Sequence, residues 1–209
     1  MSISPDNHGS ESTLGKLGEK CGLTALQPLR SPSRAISQDG GGHLIIRPET
    51  SNDYKAIREI NIAAFANHPY SNHTEHLIVE ALRADGALTV SLVAEVEGRV
   101  VGHIAFSPVT INGAHRQWFA LGPIAVLPAL QRQGIGIKLV NEGLKSIRAL
   151  GAQGCVLVGD PAYYSRFGFS HSPALTLDDV PPTVFLCLPM TEHMPQGKVE
   201  HHAAFSVHV

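Results

Sequence analysis

Gln131-Arg132-Gln133-Gly134-Ile135-Gly136 separates an apolar run ending at Val126 from a long stretch of helical periodicity. Over 134–150, Ile137, Val140, Leu144 and Ile147 recur at helical spacing, and the pattern stops before Gly151. Two glycines at the head of a helix let the backbone approach a ligand without Cβ obstruction. The first N–H groups of a helix have no partner within it, and the macrodipole makes that end positive, so an anion fits there. Pyrophosphate is the natural guest. The hexad is not a P-loop, because GxxxxGK[ST] is absent, and not a full GxGxxG, because Ile137-Lys138-Leu139 follows Gly136. A GxG at a helix start is often only a structural turn, so the flanking sequence has to decide.

Before the hexad, a short β-rich run over 44–47 is stopped by Pro48. Asp53 is the predicted N-cap of a helix carrying Ile57, Ile60, Ala64 and Phe65 at helical spacing. A second helix is predicted over 74–84. Two β runs follow, 88–96 and 99–107, joined by Glu97-Gly98, a two-residue hairpin signal with Gly second. Asn112-Gly113 marks another turn, before a strand over 118–126. After the long helix come a short strand over 155–158, a short helix over 161–166 and a late strand over 184–188. This order, β-α-α-β-β-β-α-β-α-β, predicts an α/β fold with a mixed, mostly antiparallel central sheet flanked by helices, neither a barrel nor a doubly wound parallel sheet.

The chain has 209 residues and a formal net charge of −2, from 16 Lys+Arg against 18 Asp+Glu. No basic stripe stands out, so no nucleic-acid partner is expected. No apolar run approaches the roughly 20 residues of a membrane span, so no membrane partner is expected either. Three scattered cysteines, Cys21, Cys155 and Cys187, form no CxxC pair, and the N-terminus lacks a secretory signal, which predicts a cytoplasmic, reducing setting. Of the 12 histidines, His73/His76 and His201/His202 are the close pairs and HExxH is absent, so no metal is expected. Residues 1–42 hold seven Gly, seven Ser and three Pro and none of the twelve aromatics. They are predicted to be a flexible, disordered tail ahead of a single domain over 43–209.

The hexad resembles the Gln/Arg-x-x-Gly-x-Gly/Ala signature of the GNAT superfamily of N-acetyltransferases. Gly122-Pro123-Ile124-Ala125-Val126-Leu127-Pro128 is similar to the family's bulged fourth strand; Pro cannot donate to a ladder and Gly tolerates bulge geometry. Ala162-Tyr163-Tyr164-Ser165-Arg166-Phe167-Gly168-Phe169 is similar to the helix that delivers a tyrosine in that family. Gly159-Asp160-Pro161 and Ala105-Phe106-Ser107-Pro108-Val109 are similar to its YhbS-like branch. The resemblance covers about residues 44–190 and extends to a C-terminal strand.

It implies an acetyltransferase using acetyl-CoA as co-substrate, with direct attack of a primary amine in a ternary complex. The implied cradle for acetyl-CoA is Gln131, Arg132, Gln133, Gly134, Ile135 and Gly136, with Lys138 as an additional charge. A backbone N–H among Ile124, Ala125 and Val126 would polarise the thioester carbonyl. By motif position Tyr164 is the general acid, since a phenol with pKa near 10 stays protonated at neutral pH. For the base, the strand 117–126 offers no carboxylate. His103 is named for that role on its ordinary pKa near 6.5, with His115, Glu75 and plain water as alternatives. Asp160 either orients the tyrosine loop or caps its helix.

The acceptor is a small-molecule or peptide amine that the sequence does not select, and its pocket is expected along the loop 66–72. A monomer or homodimer is expected. Two further readings stand beside the enzyme: a non-catalytic acyl-CoA sensor, and a toxin acting on charged tRNA, which a net charge of −2 disfavours.

Overall fold

The computed structural model describes residues 43–68 and 71–207. The tail expected over 1–42, and residues 69–70 of the loop 66–72, lie outside those residues.

Two hairpins form the centre of the sheet. Strand β2 (Val90–Val96) turns into β3 (Arg99–Ile111) at Glu97-Gly98, and β3 turns into β4 (Ala114–Val126) at Asn112-Gly113. The turn residues have φ of 51° and 77° in the first and 51° and 73° in the second. Two consecutive positive φ values are the type I′ geometry, whose twist matches that of the flanking strands. β3 and β4 run past the predicted limits of Ser107 and Trp118. Pro108, just past the first of these limits, sits beside a register shift between Pro108 and Thr110, where a missing donor is tolerated.

The strand order is β1-β2-β3-β4-β5-β7, with β1 at Leu44–Pro48, β5 at Gly154–Val158 and β7 at Phe185–Pro189. Within this order only β4 and β5 run parallel. The far end of β3 also pairs with β8 (Gly197–Glu200), which holds β6 (Leu175–Leu177) in parallel. Periodicity located neither short strand, because three or four residues are too few for alternation to be read; a C-terminal strand was expected from the resemblance alone.

Helices cover both faces. On one lie α1 (Tyr54–Phe65) and α2 (Glu75–Ala84); on the other lies α3 (Ile135–Ala149). Alternation along β3 separates the two layers. Ile104 and Phe106 join Leu139, Val140, Leu144 and Ile147 of α3 in the larger core. Ala125 of β4 packs with Ile60 and Phe65 of α1, and Val93 of β2 with Ile57 and Val79.

Asp53 does stand at the N-cap of α1, but its carboxylate turns backwards. It accepts from the Thr50 N–H at 2.7 Å and the Thr50 hydroxyl at 2.9 Å, and takes the fork of Arg47 at 2.7 and 3.0 Å. Arg47 also bonds Glu95, so one guanidinium ties β1, β2 and the start of α1.

α3 approaches the sheet closely because it presents Gly143 to Phe106: a Cβ at Gly143 would overlap the Phe106 ring. Gly143→Ala in an exposed helix would gain about 1 kcal/mol. Here overpacking of about 1–3 kcal/mol opposes that gain. The expected result is a thermal midpoint several degrees below wild type; an unchanged or higher midpoint would show that the ring gives way.

Candidate active site

β4 and β5 pair at three positions, Trp118↔Gly154, Phe119↔Cys155 and Ala120↔Val156. Immediately beyond, β4 takes three steps from Leu121 to Ile124 while β3 takes two from Phe106 to Ile104. This is the predicted bulge, one extra residue at Gly122-Pro123, where Gly122 has φ 148°. Past it β4 keeps only β3 as a ladder neighbour. The Leu127 N–H donates to Val101 O at 2.9 Å, towards β3. N–H groups alternate along a strand, so those of Ile124 and Val126 face the opposite edge, where the ladder with β5 has ended.

The Gln131–Gly136 loop closes that opening. Gln131 Nε2 donates to Val126 O at 3.1 Å, which fastens the loop to the end of β4. Gly134 is the N-cap of α3 with φ 84°, a left-handed conformation that glycine adopts without strain. The Lys138 N–H makes the first intrahelical bond, to Gly134 O at 3.1 Å. The N–H groups of Ile135, Gly136 and Ile137 therefore have no partner in the helix and stand at its positive end. Among the proposed cradle residues, Arg132, Gln133 and Lys138 are exposed, whereas Ile135 is buried in the core.

A cleft of about 400 Å³ runs from Val126 and this loop to Asp160, Ala162, Tyr163 and Arg166. Asp160 is the cap of α4 (Pro161–Tyr164), its Oδ1 accepting from the Ala162 N–H at 2.9 Å. The sequence reading missed Tyr163 and Arg166 as wall residues. The Tyr163 hydroxyl stands 3.1 Å from where a Cβ on Gly136 would sit, so the second glycine makes room for the tyrosine. Arg166 stacks on the Tyr163 ring at 4.8 Å. Spacing i, i+3 on one face was the available signal.

Tyr164 lies behind this wall, 2% exposed, edge-on to Tyr163 at 5.0 Å and Phe169 at 6.0 Å. Burial, reinforced by Tyr163, Cys155 and Asp160, raises its phenol well above the ordinary value, so it holds its proton throughout the physiological range.

His103 stands elsewhere. It faces α1 and α2, fully buried, and belongs to a chain of hydrogen bonds. Arg83 grips Glu49 through Nε at 2.8 Å and Nη2 at 2.9 Å, and the Ser91 hydroxyl also donates to Glu49. Burial alone would raise Glu49, but the bonds from Arg83 and Ser91 outweigh it and hold the carboxyl below its ordinary value. With the one Ser91 proton committed to Glu49, Ser91 Oγ accepts from His103 Nε2 at 2.9 Å. Nδ1 is then a bare lone pair facing Asn61 Nδ2 at 3.5 Å, while Asn61 Nδ2 also donates to Ile57 O at 2.8 Å. Burial pushes His103 down to about 4; the charge of Glu49 opposes this and that of Arg83 adds to it. His103 is therefore a neutral link between Ser91 and Asn61, with both ring nitrogens engaged.

Of the alternatives, His115 is exposed at the β3–β4 turn. Glu75, at the start of α2, is 1% exposed and raised by burial, with a 2.5 Å bond from the Ser71 hydroxyl opposing the shift. Among the described residues, no group of three or more His, Cys, Asp or Glu could hold a metal ion, and no helix is long and apolar enough to cross a membrane.

Comparison with known proteins shows the family of the fold. The family model for the acetyltransferase (GNAT) domain matches residues 88–171. The N-acetyltransferase YhbS of Escherichia coli (strain K12) is 44% identical over 109 residues, 52% of this chain and 65% of YhbS. The chain thus spans just under two thirds of that curated relative. The N-acetyltransferase YjhQ of the same strain is 32% identical over 130 residues, 61% of this chain and 70% of YjhQ. A GNAT family acetyltransferase from Brucella melitensis, solved in complex with acetyl-CoA, is 52% identical with a TM-score of 0.71, covering 78% of this chain and 99% of that one. The YhbS structure from Escherichia coli, in complex with CoA, superposes with a TM-score of 0.74 at 34% identity, covering 81% and 96%.

The neutral state of His103 has a consequence for stability. Above about pH 6.5 the imidazole is neutral folded and unfolded, and its contribution is complete. Between 6.5 and about 4 only the unfolded chain takes the proton, so stability falls with pH at about 1.4 kcal/mol per unit. Urea unfolding of wild type should therefore lose about 2 kcal/mol more than His103→Gln between pH 6.5 and 5. Parallel pH profiles would contradict the neutral assignment.

Proposed function

Because the chain belongs to the GNAT acetyltransferase family, we propose that it moves an acetyl group from acetyl-CoA to a primary amine, by direct attack within a ternary complex. One observation carries the reading. The positive N-terminus of α3, with the N–H groups of Ile135, Gly136 and Ile137 unpaired within the helix, opens onto the same cleft as the unladdered edge of β4.

In this reading Gln131 to Gly136 take the pyrophosphate through backbone N–H groups, with Arg132 and Lys138 adding positive charge. The N–H of Ile124 or Val126 donates to the thioester carbonyl and to the oxyanion that forms from it. By its motif position Tyr164 donates its phenolic proton to the departing sulfur, which requires its hydroxyl to reach the cleft past Tyr163. The amine lone pair forms the C–N bond, the C–S electron pair leaves with sulfur, and the nitrogen releases one proton to water. His103 serves as a positioning residue for Asn61, not as the base, because neither of its nitrogens is free to take a proton. A cytoplasmic setting completes the reading, supported by the free thiols of Cys155 and Cys187.

Calorimetric titration with acetyl-CoA tests it. Wild type is expected to bind in the micromolar range, and Gly134→Glu, which places an anion in the cradle, should abolish the heat. Tyr164→Phe should bind as wild type and lose turnover by about 100-fold or more. The absence of binding to wild type would overturn the proposal.

A further inference from the structure

Tyr163 and Arg166 line the cleft with polar groups that the fold itself does not use. The Tyr163 ring is half-buried, set against the rings of Tyr164 at 5.0 Å and Phe167 at 5.7 Å. Among the described residues nothing bonds its hydroxyl, and no carboxylate pairs with Arg166. The Arg166 guanidinium is exposed and rests on the Tyr163 ring, 4.8 Å from its centre. Asp160, the one acid among the lining residues, turns its Oδ1 to the Ala162 N–H. A phenol donor and a cation therefore stand on one wall, facing the loop at the head of α3.

The place of the hydroxyl decides what it can serve. Gly136 lies inside α3, so what glycine supplies there is room. The position a Cβ would take is 3.1 Å from the Tyr163 hydroxyl. A Cα–Cβ bond tilts towards the start of its helix, so the hydroxyl stands beside the first turn, where the N–H groups of Ile135, Gly136 and Ile137 are unpaired. Burial raises the Tyr163 phenol above its ordinary value, with Arg166 opposing the shift, so at neutral pH the group is a donor. An anion at this end meets backbone N–H groups from one side and the phenol from the other.

Resting on the acetyl-transfer reading, we propose that Tyr163 and Arg166 set the specificity for the acyl donor: the Tyr163 hydroxyl donates to a pyrophosphate oxygen held at the first turn of α3, and Arg166, resting on the ring, adds a cation beside it. Hydrogen bonds to an ionised acceptor are short and roughly twice as strong as neutral ones. The pair thereby selects a thioester that carries a pyrophosphate over one on a bare pantetheine arm. That arm separates the pyrophosphate from the sulfur, so a hydroxyl seated at the first turn of α3 is out of reach of the leaving thiolate. The adjacent tyrosines divide the work, Tyr163 holding the pyrophosphate and Tyr164 supplying the proton.

Three ligands test this: CoA; 3′-dephospho-CoA, which keeps the pyrophosphate but lacks the ribose phosphate; and pantetheine, which lacks both. The first two are titrated by calorimetry, and pantetheine by ligand-observed NMR, which reads weak binding. Tyr163→Phe should raise Kd for CoA and for 3′-dephospho-CoA about tenfold, the equivalent of one hydrogen bond to a charged group, and leave that for pantetheine unchanged. Its melting temperature should match wild type, because the hydroxyl has no protein partner to lose. Arg166→Gln should weaken the same two ligands and flatten the dependence of their Kd on sodium chloride. This exposed position decides alone if Tyr163→Phe fails to fold. Equal losses for all three ligands would mean a packing role and overturn the proposal, as would unchanged binding of CoA. A loss for CoA without one for 3′-dephospho-CoA would move the hydroxyl to the ribose phosphate and overturn it too. Failure of wild type to bind CoA would instead remove the reading beneath it.

Discussion

The site depends on a ladder that stops. β4 and β5 are parallel neighbours for three pairs and then part, while β4 stays bound to β3 along its whole length. One inserted residue at Gly122-Pro123 changes the course of β4 at the point of parting. A sheet interior normally pairs every N–H, so an interior strand with one unladdered edge is a costly arrangement unless something else takes those donors. α3 is fixed above the parting by close contacts of Gly102 with Leu139 and of Gly143 with Phe106. Its unpaired first-turn N–H groups are thereby brought to the mouth of the opening. Two sets of unused donors, one from a strand and one from a helix, meet in one cleft.

Much of this was readable because it rests on local chemistry. Glu97-Gly98 and Asn112-Gly113 announce their hairpins through residues that tolerate positive φ, and the α3 stripe announces its buried face. Gly122-Pro123 announces the bulge because neither residue suits a regular interior ladder. What could not be read is what tertiary contact decides. β6 and β8 exist because each completes the other beside β3, not through any pattern of their own. Asp53 carries the right residue type for a forward cap, yet Arg47 and Thr50 draw its carboxylate backwards. Tyr163 and Tyr164 are adjacent and alike in sequence; only the packing of α4 against α3 sends the first to the cleft wall and the second into the core.

His103 shows the same divide most clearly. Its unperturbed pKa made it an attractive base, but that argument belongs to an imidazole in water. In the fold it is surrounded by Glu49, Ser91, Arg83 and Asn61, and burial is the largest influence on it. Glu49 and Arg83 form a two-pronged ion pair, half-buried, whose extra hydrogen bond from Ser91 satisfies the carboxylate further. Such a pair adds little net stability, because desolvation offsets the attraction, but it is directional. It fixes the Ser91 proton, which fixes the His103 tautomer, which fixes the Asn61 amide.

The strand segment 117–126, which carries the bulge, holds no ionisable side chain, and this has a physical sense in the proposed reaction. A base strong enough to deprotonate an ammonium at neutral pH would, when buried beside it, form an ion pair that stabilises the protonated amine. In the proposed reaction a desolvated site would instead disfavour the ammonium form itself, and the proton would be left with water on entry. The remaining need is for a proton at the departing sulfur. Burial keeps one on Tyr164 at every physiological pH. In the proposed reaction the two ends would thus be served by opposite uses of one effect, since removal from water would neutralise the incoming amine and retain the phenolic proton.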